Sequence, residues 1–492
     1  MEKKTILKKD NIVNFNFNKL DNSKDLDILL ERVGDSQFVL LGEASHGTSE
    51  FYRWRTEITK RLINEKEFSF IAVEGDWPDC FKVNRYIKGF SDSDNNNTAY
   101  NVLNSFNRWP TWMWANKEIV ELIEWLKLFN DKKKQKQQHK HQHQQRQEQN
   151  DSSNSNFLST KKLVGFYGLD LYSLWESMEA IIQYLKKVDP NAVKNAIEAY
   201  NCFEPYEKDV ENYAHETAFV PENCEDEVIE MLTSLRRKID DYSKRDHANR
   251  EKEEEYFNAE QNAITAKDAE FYYRTMIRGD VQSWNIRDTH MMETLERLIA
   301  FHDDYNNNNK TNTKAIVWAH NTHIGDARAT DMFKNNMINL GQLVRERKNK
   351  KNTVLIEFGT YKGSVIAAKT WGERMEKMEV PPAIDGSWDS ILHNIKNESI
   401  ASSSYNNNNK KFIIFSNNNT YDNTINNGEW RGQRAIGVVY NPQYEKYGNY
   451  VPTDISLRYD AFLFIDETHA LHPLHMQTIK DEDLPETYPT GL

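Results

Sequence analysis

Cysteine is scarce: the 492 residues hold three, Cys80, Cys202 and Cys224. An odd count without CxxC spacing predicts neither a disulfide framework nor a zinc ribbon, and it fits a reducing compartment. Long apolar runs are missing as well. No stretch approaches the roughly 20 residues of a membrane span, and the start, MEKKTILKKDNIVNF, has no apolar segment before a small-residue cleavage site, so a cytoplasmic protein is expected. Basic charge is in deficit, with 63 Lys and Arg against 75 Asp and Glu and a formal net charge of −12. That leaves no basic footprint for nucleic acid and favours a neutral or cationic small molecule as partner. Hydrophobic residues are only 38%, under the ~45–50% of an average chain. Polar tracts dilute that figure, and 12% aromatics leave enough for a sizeable core.

Those tracts set the organisation. From Asp131 to Asn156 the chain reads DKKKQKQQHKHQHQQRQEQNDSSNSN, and Asn-rich runs recur at residues 94–97, 306–309, 406–409 and 417–427. Such composition cannot offset ordering entropy, so residues 131–160 are expected to form a disordered low-complexity insertion and the shorter runs loops. His139, His141 and His143 lie in that tract, where no fixed geometry would hold a metal. The ordered parts alternate. SQFVLLG, FSFIAVEG, KLVGFYG, KAIVWAH, NTVLIEFG, KFIIFS, AIGVVY and AFLFID are short and almost continuously apolar, as strands buried on both faces are. Between them, Glu50 to Lys66 sets Phe51, Trp54, Ile58 and Leu62 at helical spacing, and Pro78 to Lys88 begins on proline and ends at Gly89. This predicts an α/β fold with a mostly parallel or mixed central sheet flanked by helices. From about residue 190 to 301 strand signals stop and helical periodicity takes over, which predicts a helical insertion or lid on a single catalytic domain spanning 1–492.

Candidate chemistry follows the apolar runs. Glu43 and His46 follow FVLLG, Glu74 and Asp76 follow FIAV, and Asp170 follows GFYGL; His320 and His323 follow AIVWA, Glu357 follows VLI, and Asp466 and Glu467 follow FLFI. Ligand crevices of open α/β sheets lie beyond the carboxyl ends of parallel strands, so these tips are expected to converge. GEASHG offers an imidazole beside a carboxylate, the pair a general base needs. Arg55 falls on the apolar stripe of its helix, where a guanidinium needs a ligand or a carboxylate such as Glu74. Asp76 precedes a proline-started helix and is expected to cap it. His320 and His323 suit metal ligation, oxyanion donation or support of another group. His469, His472 and His475 imitate a metal run, but Pro473 interrupts the helix that would align their rings. Trp109, Trp112, Trp114 and Trp125 read as packing residues. No GxSxG elbow, HExxH pair, Gly-Lys phosphate loop or GxGxxG is present, so a serine hydrolase is not supported.

Six blocks in order, LGEASHGTSEFYRWRTEITKRLI, AVEGDWPDCFKVNRYI, SWNIRDTHMMETL, WAHNTHIGD, VLIEFGTYKGSV and DAFLFIDETHALHPL, resemble the erythromycin esterase family over most of the chain. The resemblance implies hydrolysis of a carboxylic ester, a macrolactone in the family's known members, by a histidine acting on water without metal, cofactor or covalent serine. It implies His46 as general base, Glu43 and Glu74 as its acidic neighbours, and Arg55, His320 and His323 as further members of the cleft. Glu357 would bind substrate. Two rivals stay open: a metal-dependent hydrolase holding zinc or manganese on His46, Glu74, His320 and His323, and a binding protein that sequesters its ligand unchanged.

Overall fold

The computed structural model describes residues 17–90, 98–147, 163–206, 210–217, 223–237, 250–277, 280–304, 313–395, 410–415 and 430–475. Seven of the eight apolar runs become strands: β2 (Phe38–Leu41), β3 (Phe70–Asp76), β4 (Gly165–Asp170), β5 (Ala315–Trp318), β6 (Thr353–Ala367), β8 (Lys410–Ile414) and β11 (Ala461–Thr468). The eighth, AIGVVY, makes only isolated bridges, Ile436 to Ser45 and Val439 to Ala368. Four short strands carry no apolar run: β1 (Phe17–Lys19), β7 (Glu376–Val380), β9 (Arg431–Arg434) and β10 (Tyr450–Thr453).

One nine-stranded sheet runs β1-β8-β11-β6-β2-β5-β3-β4 with β7 on β6, and β9 pairs β10 apart from it. The block β11-β6-β2-β5-β3-β4 is parallel throughout, while β8, β1 and β7 are antiparallel to their neighbours. The sheet is therefore mixed around a parallel centre. Alternate residues feed opposite faces. Val39, Leu41, Ile71 and Val73 pack with Phe51, Trp54, Ile58 and Leu62 of helix Ser49–Lys66. Phe38, Leu40, Phe70 and Ala72 pack with Met291, Leu295 and Leu298 of helix Asp280–Asp304.

Between β4 and β5 the described residues form helices and no strand, the major ones being Leu174–Val188, Val193–Asn201, Val210–Thr217, Glu225–Arg237, Arg250–Met276 and Asp280–Asp304. The first five share an apolar cluster of their own. The sixth lies on the sheet, so the helical region is joined to the body rather than suspended over it. Cys202 and Cys224 are disulfide-bonded at a Cα separation of 5.9 Å, which corrects the expectation of unpaired thiols. Pairing depends on the approach of two helix ends, which cysteine counting cannot see, and cysteine usage no longer argues for a reducing compartment. Cys80 is free and buried. A second correction concerns the polar tract: helix Lys117–Gln147 runs through its first half, because Lys and Gln are good helix formers. Residues 148–160 of the expected insertion lie outside the described ones, as do the short Asn runs at 94–97, 306–309, 406–409 and 417–427. No helix among the described residues is long and apolar enough to cross a membrane.

Candidate active site

Leu41, Trp318, Val73 and Gly168 stand level across β2, β5, β3 and β4. The residues that follow therefore converge: Glu43 and His46, His320 and His323, Glu74, and Asp170. β6 and β11 do not stop at that level. Ile356 pairs with Leu41 and also with Ala461, so Glu357 is buried inside a strand that continues to Ala367, and Asp466 stands five residues further on, roughly 16 Å at about 3.3 Å per residue. Asp466 accepts from His393 at 2.6 Å and Glu467 pairs with Lys362. Convergence of six strand tips is thus corrected to four.

The LGEASHG turn is held by close approach. A Cβ on Gly42 would meet Asn321 Oδ1 at 2.1 Å, and one on Gly47 would meet the Ile366 carbonyl at 1.9 Å; only glycine fits. Ile366 N and Leu471 N both donate to the Gly47 carbonyl. So fixed, Glu43 faces two donors, His46 Nδ1 at 3.0 Å on Oε1 and Arg55 Nη2 at 2.6 Å on Oε2. Arg55 is fully buried, 4.3 Å from the Tyr52 ring centroid and 4.5 Å from that of Trp318. Its carboxylate is Glu43, not Glu74 as expected above. With Nδ1–H committed to Glu43, His46 presents Nε2 as its basic nitrogen, 3.9 Å from Glu74 Oε1. That separation exceeds a hydrogen bond and lets both atoms bond a common third one.

Glu74 joins the remaining parts. Its Oε2 accepts the His320 backbone N–H at 2.7 Å, and its Oε1 accepts from Arg287 Nη2 at 2.8 Å and lies 3.3 Å from His323 Nε2. Arg287 also grips Asp170 with Nε at 3.0 Å and Nη2 at 2.6 Å. His323 Nδ1 donates to Asp288 at 2.9 Å, the Leu340 N–H donates to Asp288 Oδ1 at 2.7 Å, and the Trp284 ring stacks on His323 at 4.5 Å. Burial alone would raise the Glu74 carboxyl, but His323, His46 and Arg287 hold it well below the usual range. Burial likewise opposes charge on His323, yet Asp288 and Glu74 lift it to about 9. His323 Nε2 is also 3.0 Å from Arg287 Nη1, a contact that suits the neutral ring; the two carboxylates outweigh it. His320 goes the other way: burial, then His46, pushes it well below its ordinary value. Its Nδ1 lies 2.8 Å from Thr322 Oγ1 and 3.3 Å from the Thr322 N–H. The His46 and His320 rings are 4.8 Å apart.

These contacts fit a metal poorly. Both His323 nitrogens are engaged, one of them beside a guanidinium, and His320 Nδ1 is occupied. Among the described residues no group of three or more His, Cys, Asp and Glu side chains is disposed to hold a metal ion. The other histidine run is dispersed too: His469 binds Glu50, His472 binds Glu118, and His475 binds the Asn104 carbonyl. Glu357 sits beneath the site, accepting from Asn321 Nδ2 at 2.6 Å, with burial pushing its carboxyl well above the usual range. Asp76 occupies the N-cap position of helix Trp77–Lys88 without capping it, and pairs with Arg108 instead.

The model of the erythromycin esterase family matches residues 63–468. The chain belongs to the erythromycin esterase family. Membership supports a hydrolase-like enzyme; Glu43, His46 and Arg55 precede the matched segment and stand on the geometry above. Three solved structures share the fold. A succinoglycan biosynthesis protein is 20% identical with a TM-score of 0.65, covering 93% of this chain and 95% of its own. A Bacillus cereus protein is 19% identical at 0.66 with the same coverage. A histidine-to-asparagine variant of erythromycin esterase EreC, in an open conformation, is 14% identical at 0.58 and covers 93% of this chain and 97% of its own.

Within this erythromycin esterase family member, Arg287 and Asp288 are the residues that sequence reasoning missed. The signal was present. Trp284, Asp288, Met291 and Leu295 recur at three- and four-residue spacing along one buried stripe, and a charged group on an apolar stripe is what singles out Arg55.

Proposed function

We propose that the chain hydrolyses a carboxylic ester, macrolactones included, by direct attack of water with no covalent enzyme intermediate. The observation that supports this best is the setting of His46, whose Nδ1 is committed to Glu43 at 3.0 Å while Nε2 faces Glu74 at 3.9 Å. A water held there gives its proton to His46 Nε2 as its oxygen bonds the acyl carbon. The proton then passes to the alkoxide oxygen as the ester bond breaks, leaving acid and alcohol. General-base help of this kind is worth ~10²–10⁴-fold. Formal charge agrees with the step. Glu43, Glu74, Asp170 and Asp288 bring four negative charges against three positive ones on Arg55, Arg287 and cationic His323, so a proton on His46 balances the cluster. Neutral His320 offers its Nε2–H to the developing oxyanion. Arg55 lies sealed behind Glu43 and acts as a positioning residue, and Glu357 steadies the His320 turn through Asn321.

Turnover of an ester panel, macrolactones among it, followed by mass spectrometry for wild type and His46→Ala, tests this. Cleavage by the wild type and a loss of at least ~100-fold in a normally melting His46→Ala are expected. Tight binding with the recovered ligand unchanged in mass would favour sequestration and end the hydrolase reading.

A further inference from the structure

Residues 469–475 leave β11 as a strap that bonds two segments carrying the site. Toward the His46 turn, Leu471 N donates to the Gly47 carbonyl at 2.9 Å, Ser49 N donates to the His469 carbonyl at 2.8 Å, and Thr48 bridges Ala470. Toward the Trp114 segment, Lys117 N donates to the His472 carbonyl at 3.0 Å and Leu474 N to the Ala115 carbonyl at 2.8 Å. Trp114 in turn reaches β3: its Nε1 donates to the Glu74 carbonyl at 3.0 Å, and a Cβ on Gly75 would meet that nitrogen at 2.6 Å. The strap thus links the segments that carry His46 and Glu74, the two groups whose 3.9 Å spacing the attacking water must fit.

Glu118 joins the three pieces. It lies in the first turn of helix Lys117–Gln147. Its Oε1 accepts from Ser49 Oγ, on the helix that follows the His46 turn, and from His472 Nδ1 at 2.8 Å, on the strap; its Oε2 accepts from His472 N at 3.4 Å. Burial opposes its charge, yet Ser49 and His472 hold its carboxyl below the usual range. A first-turn glutamate that only offsets its own helix dipole serves as well from the surface. Glu118 is instead 4% exposed and bonded to two other elements, and removing it would leave Ser49 and His472 without their common acceptor.

We propose that Glu118 is a positioning residue for the hydrolysis, clamping Ser49 to His472 so that turn and strap hold His46 Nε2 at its distance from Glu74. The role in turnover rests on the ester-hydrolase reading; the clamp itself does not. Glu118 acts through geometry alone, and a misplacement of about 1 Å costs ~100-fold in rate.

Ester kinetics, thermal melts and the His46 ring signal in NMR of the histidine-labelled full-length protein, that signal identified by its loss in His46→Ala, test this. Glu118→Ala should lower kcat at least about tenfold with KM within about twofold, and move the His46 signal. Glu118→Gln, whose amide oxygen still accepts from both donors, should bring kcat back to within about fivefold of the wild type. Ser49→Ala and His472→Leu should each slow the wild type but add little to Glu118→Ala, because both act through Glu118. Wild-type kcat or an unmoved His46 signal in a normally melting Glu118→Ala, or losses that add in full, would overturn the proposal; if Glu118→Ala does not fold, Ser49→Ala and His472→Leu decide by the same kcat and signal. In a wild type that cleaves no ester the signal decides alone: moved, it leaves the clamp standing and removes the hydrolase reading, whereas ester cleavage with an unmoved signal does the reverse.

Discussion

Arg287 Nη2 donates to Glu74 Oε1 at 2.8 Å across 213 residues of sequence. The same guanidinium grips Asp170 at the end of β4. One cation thus ties helix Asp280–Asp304 to two strand ends and offsets two carboxylates that would otherwise repel each other.

Removing that cation should therefore be felt in the fold. Arg287→Met leaves Glu74 and Asp170 buried with too little positive charge, and denaturant melts should show a loss of ~3–5 kcal/mol. Arg287→Lys should lose less, because an ammonium can serve one carboxylate but not hold the bidentate pair. Wild-type stability in Arg287→Met would mean that the ionic centre does not hold the elements together.

Glu74→Gln separates structure from chemistry. Arg55 pairs with Glu43, so the amide strands no partner of Arg55, and Arg287 keeps Asp170. We expect a modest drop in melting temperature but a rate at least ~100-fold slower, about 3 kcal/mol, as the carboxylate facing the forming imidazolium disappears. Full activity at wild-type stability would remove Glu74 from the mechanism.

Much of this site was legible. Strand-ending polar residues located Glu43, His46, Glu74, Asp170, His320 and His323, because parallel strands of similar length end together. The rule failed at Glu357 and Asp466, where β6 and β11 run past that level; strand length and register are tertiary properties that composition does not record. Arg287 and Asp288 were missed because the charged helical region was read as an insertion or lid, although its last helix packs on the sheet. The partner of Arg55 needed geometry, since the sequence reading pointed to Glu74 and the structure pairs the guanidinium with Glu43. Low-complexity composition also hid a helix, as Lys and Gln tolerate either state.

Stability should fall as pH rises above neutrality. Asp76 is pushed from 3.8 up to about 8 and His323 from 6.5 up to about 9, so in both windows the folded protein holds protons the unfolded chain has lost. For His323 the stabilisation is complete below about 6.5 and disappears as pH passes about 9; for Asp76 stability declines from about 4 to about 8. Glu74, held low, loses its contribution only on the acid side. Melting temperatures measured from about pH 6 to about pH 9 should decline, and Asp76→Asn should flatten the part below about 8. A curve that rises across this range would contradict both assignments.

Gly47→Ala tests the turn. Its Cβ would fall 1.9 Å from a β6 carbonyl, backbone that cannot swing aside. The cost should reach the upper end of the ~1–3 kcal/mol of overpacking, and activity should fall further than stability because His46 is the adjacent residue. Wild-type melting and turnover would show that the turn has slack.

The central claim is that water activated by His46 reaches the ester directly. A single turnover with enzyme in excess in heavy-oxygen water, with the product acid and the peptides bearing Glu43, His46 and Glu74 analysed by mass spectrometry, tests it. The account predicts the heavy oxygen in the product acid alone. Heavy oxygen in a Glu43 or Glu74 carboxylate, or an acyl adduct on His46, would contradict it.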